Sequence, residues 1–128
     1  MGADSPEALG ALLYGYTEEE AGEVRAFLEG LAGRYVEIFG GSGLEDRIVM
    51  DVVDGEAGGH FGARRTRVLM LLGFDDPGIE AVLSAFPVHL PRPIFCAPTE
   101  SNMGWRLSEL VRHLVEERER FARDISGR

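Results

Sequence analysis

An α/β fold of two βαβα repeats, forming a largely parallel four-stranded sheet with covering helices, is predicted for this 128-residue chain by three observations. Leu13-Tyr14-Gly15-Tyr16-Thr17-Glu18 returns 58 residues later as Leu71-Leu72-Gly73-Phe74-Asp75-Asp76. Each copy closes an apolar run and opens a helical pattern, which is the signature of a repeated supersecondary unit. One such unit exposes an apolar sheet face that only its partner can cover, so the two belong to a single domain over 1–128 with halves at about 8–56 and 66–124. The alternative is a ferredoxin-like α+β sandwich, which follows if the Ile- and Val-rich stretch 47–53 is a strand.

Residues 1–10 are polar, contain proline and read as a frayed terminus. Ala11 to Tyr16 is the first strand. Thr17 with Glu20 forms a capping box, and three acids in the first turn suit the helix dipole. Ala21, Val24, Phe27, Leu28 and Leu31 then recur at one-faced helical spacing up to a stop at Gly33. Tyr35 to Phe39 is the second strand. Gly40-Gly41-Ser42-Gly43 breaks the chain, and Ser42 with Glu45 suggests a second capping box before a helix of about three turns carrying Leu44, Ile48, Val49 and Val52. The repeat favours helix over strand for 44–53.

Residues 54–65 are glycine-rich and aperiodic and read as a long loop. Thr66 to Phe74 is a near-continuous apolar run, as expected of a central strand covered on both faces. Asp75 caps the next helix, with Pro77 in its first turn and Pro87 at its end. Pro91 and Pro93 flank a strand at 94–97 and place it at an edge. The last helix runs from about Ser101 or Asn102 to Arg123, buries a stripe of Leu107, Leu110, Val111, Leu114 and Val115, and then outruns what a small sheet can cover.

Charge narrows the range of functions. The chain carries a net charge of -9, and the whole excess lies in residues 1–64, which hold 13 acids and 4 bases. That field repels phosphate backbones and anionic membranes, so neither nucleic acid nor membrane is an expected partner, whereas a basic protein surface is. All 13 basic residues are arginine, which rules out lysine-based Schiff-base and phosphate-loop chemistry within this chain. The single Cys96 and the absence of a basic, apolar leader after Met1 point to the cytoplasm. His60, His89 and His113 lack ligand spacing, so no metal and no cofactor is expected.

If the strands were parallel, the loops at their carboxyl ends would converge on one rim. Thr99, Ser101, Asn102 and Trp105, with Asp75 and Thr17 from the repeated turns, are the candidate ligand-binding residues there. Their simpler role is helix capping and core packing. No catalytic residue is assigned, because no motif supplies an activated nucleophile. Leu114, Phe121 and Ile125 on the overlong last helix are the candidate interface of a homodimer.

The stretches Gly73-Phe74-Asp75-Asp76 and Ala97-Pro98-Thr99-Glu100-Ser101-Asn102-Met103-Gly104-Trp105-Arg106-Leu107 resemble the bacterial domain-of-unknown-function family 3783 over roughly residues 66–115. The resemblance implies a strand, a Thr-x-x-Asn turn, a tryptophan and a leucine-rich helix in a small cytosolic protein of uncharacterised function, with no established catalytic residues. The functional expectation is a non-enzymatic binding or regulatory module, with a small-molecule sensor or enzyme at the loop rim as the alternative.

Overall fold

The computed structural model describes residues 8–55 and 58–126. The expected fraying of the first residues therefore falls largely outside the described part. Five strands and four α-helices follow in the order β1 (Leu9–Tyr14), α1 (Glu18–Ala32), β2 (Val36–Gly41), α2 (Val49–Val53), β3 (Gly58–His60), β4 (Val68–Leu72), α3 (Asp76–Ala85), β5 (Ile94–Cys96) and α4 (Leu107–Ser126), with a 3-10 turn at Asn102–Gly104.

The sheet has five strands in the order β3-β2-β1-β4-β5 and is mixed, which corrects the expected largely parallel four-stranded sheet. β1, β2 and β3 run parallel to one another, and β4 runs parallel to β5, but β1 and β4 pair antiparallel at the junction. The physical reason is that a strand-helix-strand crossover fixes direction only within a unit. Where two units meet edge to edge, either direction completes the ladder. The extra strand, β3, lies in the stretch expected to be loop; Gly58-Gly59-His60 carries no alternation of apolar residues by which to recognise it.

β1 and β4 are followed by similar turns. Gly15 and Gly73, which follow them, both have positive φ, at 90° and 83°. An aromatic residue comes next in each copy, and then Thr17 or Asp75 as the N-cap, accepting hydrogen bonds from Glu20 N and Gly78 N respectively. Leu12 pairs with Met70, its own counterpart 58 residues on.

Strand alternation sends side chains to two covered faces. Ala11, Leu13, Val36, Ile38, Leu69 and Leu71 pack with residues of α1 and α3, while Leu12, Tyr14, Phe39, Val68 and Met70 pack with α2 and the first turns of α4. β4 is thus covered on both sides, as its apolar run predicts, and β5 is an edge strand. α2 is shorter than expected. Ser42 does not cap it, because its hydroxyl is drawn inward, and residues 44–47 form turns instead, with Leu44 N donating to Gly41 O and Arg47 N to Leu44 O. Stretch 49–53 is nonetheless helix rather than strand. α4 begins later than expected, after the 3-10 turn, and its residues 116–123 are all exposed.

Candidate functional site

The mixed sheet divides the expected rim. Because β1 and β4 run in opposite directions, Thr17 and the 40–43 loop lie at one end of the sheet, and Asp75 and the segment after β5 at the other. Thr17 is thereby separated from Asp75 and from Thr99, Ser101, Asn102 and Trp105.

Thr99 and Asn102 form a closed box. Thr99 N donates to Asn102 Oδ1 at 2.8 Å, Asn102 N donates to Thr99 Oγ1 at 3.0 Å, and Asn102 Nδ2 donates to Ala97 O at 3.1 Å. Asn102 is buried, and Ser101 beside it is exposed. Trp105 stacks on His113 with ring centroids 4.3 Å apart and packs on the α4 face of the core. Its backbone oxygen accepts from Val49 N and so ties the turn to α2. Asn102→Ala would remove the partners of Thr99 N and Ala97 O, two part-buried bonds, and is expected to cost about 1 kcal/mol in urea unfolding. A variant as stable as the parent would show that the box contributes nothing.

Asp75 lines a hollow of about 390 Å3 with Leu9, Leu31, Arg34 and Phe74, but its carboxylate is engaged as the α3 cap. Thr17 is likewise engaged with Glu20 in the α1 capping box. Of the candidate interface residues, Leu114 is half-buried against the core, Phe121 is 67% exposed, and the side chain of Ile125 lies outside the described residues.

At the carboxyl ends of β1 and β2 a polar web joins three segments. The Ser42 hydroxyl accepts from Gly15 N at 2.9 Å and donates to Gly62 O at 3.0 Å. Glu45 Oε2 accepts from the Tyr14 hydroxyl at 2.9 Å and from Arg64 Nε at 3.3 Å. Burial pushes the Tyr14 phenol up, and its bond to Glu45 adds to that. Burial also pushes Glu45 up, but the backbone amides of Glu45 and Gly43 and the bonds from Tyr14 and Arg64 outweigh it and hold the carboxyl below its usual value. A weakened base beside a weakened acid is suited to holding the loop rather than to moving protons. A carboxyl depressed in the folded state stabilises above its unfolded value of 4.5, and that contribution is lost as pH falls through the lower folded value. The stability gap between the parent and Glu45→Gln is therefore expected to narrow between about pH 6 and pH 3. A gap constant across that range would remove the carboxylate from the account. Burial alone pushes the Cys96 thiol up to about 12, which makes it a poor nucleophile.

The open site lies elsewhere, along the outer flank of α1. A groove of about 370 Å3 is lined by Glu18, Ala21, Gly22, Arg25, Tyr35, Ile38 and Phe61. Its origin is local. Residues 18, 21, 22 and 25 fall on one stripe of the helix, and the two in the middle are small. Ile38 from β2 and Phe61 from just beyond β3 supply apolar surface. Arg25 bonds to Glu29 through Nε at 3.2 Å, and its guanidinium lies 4.8 Å from the Tyr35 ring centroid. Sequence reasoning passed over Arg25, Tyr35, Ile38 and Phe61. The available signal was a pair of small residues interrupting a charged stripe on an amphipathic helix.

No group of three or more His, Cys, Asp or Glu side chains among the described residues is placed to hold a metal. No helix among them is long and apolar enough to cross a membrane. Fold and site together define a mixed α/β protein whose polar residues at the turns hold its loops and which carries an open concavity along the flank of α1. Residues 67–121 match the family described as "Domain of unknown function (DUF3783)", and this segment contains the Thr99, Asn102, Trp105 and Leu107 spacing. No curated protein and no solved structure matches the chain.

Proposed function

We propose that this chain is a non-enzymatic binding module, built from two copies of one βαβα unit, whose ligand site is the groove beside α1. The groove itself carries the reading. Its volume lies within the range of small-ligand sites, and it combines apolar surface with a few polar groups. The engagement of Thr17, Ser42, Asp75 and Asn102 in caps and stitches supports binding rather than catalysis.

Gly22→Leu tests it. A Cβ added at Gly22 meets nothing within 4 Å, the groove leaves room for the rest of the side chain, and leucine is the better helix former, so the variant is expected to be at least as stable as the parent. In amide NMR spectra recorded against a mixture of small organic fragments, the parent is expected to show shifts clustered at Gly22, Arg25 and Phe61, and the variant to lose them. Shifts that persist in the variant, or a parent that shows none there, would sink the reading.

Self-association is a second reading, favoured by Phe121, which lies on the stripe of Leu107 and Leu114 but beyond the last buried turn of α4. It predicts a dimer in sedimentation that Phe121→Asp abolishes; identical sedimentation of the two proteins would end it.

A further inference from the structure

We infer that the groove takes a linear zwitterion with an apolar middle, its ammonium on Glu18 and its carboxylate on Arg25, the chemistry of a short unblocked peptide. This rests on the groove being a binding site and goes on to say what it binds. Glu18 and Arg25 are seven residues apart on α1, about 10 Å along the axis, with only Ala21 and Gly22 between them on the stripe. The slot therefore has a negative end, a positive end and a low apolar centre. Three extended residues span about the same 10 Å.

Both ends are available. The Glu18 carboxylate makes no hydrogen bond or ion pair with any described residue. Arg25 spends Nε on Glu29, its guanidinium carbon lies over the Tyr35 ring, and neither Nη has a described hydrogen-bond partner. A planar fork held in place with free donors suits a carboxylate. At the other end the helix contributes a partial positive charge of about half a unit, which would repel an ammonium, but Glu18, Glu19 and Glu20 outweigh it. Ile38 and Phe61 face the middle residue of the ligand.

The test uses the tripeptide Ala-Leu-Ala in four forms: free, N-acetylated, C-amidated and doubly blocked. Binding to the whole protein is followed by NMR titration. Because both charged groups are solvent-exposed, each block is expected to weaken binding only about three- to five-fold. Arg25→Gln is expected to erase the difference between acid and amide while keeping that between free and acetylated amine, and Glu18→Gln the reverse. Glu29 keeps its bond from Val36 N in the first variant, so the fold does not depend on Arg25. Equal binding of all four forms would overturn the zwitterion while leaving the groove as a binding site. If none of the forms binds, the zwitterion inference fails; the groove reading fails as well only if the fragment mixture also gives no shifts at the groove.

Discussion

Gly15→Ala is expected to lower stability by roughly 2–4 kcal/mol, an effect far larger than one methyl group suggests. The residue has φ of 90°, a conformation that L side chains rarely adopt, and an added Cβ would fall on the Thr66 carbonyl oxygen. Neither cost is relieved by a rotamer change, because the obstacle is backbone on both sides. Gly33→Ala is the control. It too has positive φ, at 69°, but nothing lies within 4 Å of the added carbon, so only the conformational cost of about 1 kcal/mol remains. Thermal melts of the two variants should separate clearly, and equal midpoints would show that the contact with Thr66 is not a constraint.

The second large effect is expected at the centre of the sheet. Leu13 is fully buried between β2, β4 and the α1 and α3 layer, where its neighbours include Ile38, Leu69 and Leu71. Leu13→Ala removes transfer energy and leaves a void that strands paired on both sides cannot close, so roughly 3–5 kcal/mol should be lost. Leu31, 43% exposed, closes the apolar stripe that the sequence shows along α1. Its replacement by alanine should cost under about 1 kcal/mol. Urea midpoints decide between them, and similar losses would mean that burial is not what sets the cost.

Leu31 also shows what periodicity can and cannot convey. The helical spacing of Ala21, Val24 and Leu28 located the buried face of α1, and Thr17, Asp75, Gly33 and Pro77 marked helix ends correctly, because caps and stops are written in local chemistry. The long apolar run of β4 likewise announced two covered faces. Strand direction was another matter. Whether β4 runs with or against β1 depends on how distant parts of the chain pair, and no residue type encodes that choice locally. β3 escaped for a related reason: two glycines and a histidine join the sheet through backbone bonds to β2 alone. The same gap hid the groove, since Phe61 reaches α1 only through β3, and Glu18 and Arg25 are ordinary surface charges until Ile38 and Phe61 are placed beside them.

The junction of β1 with β4 has a consequence for how the chain reaches this structure. β1 draws one neighbour from 27 residues away and the other from about 58, so the middle of the sheet is made entirely of contacts between distant parts of the chain. Closing such loops costs entropy before the ladder returns any of it. Folding should therefore be slow for a chain of this length, with a transition state that already holds β1 against β4. Helices α1 and α3 would then gain most of their protection from hydrogen exchange together, in one step, rather than half by half.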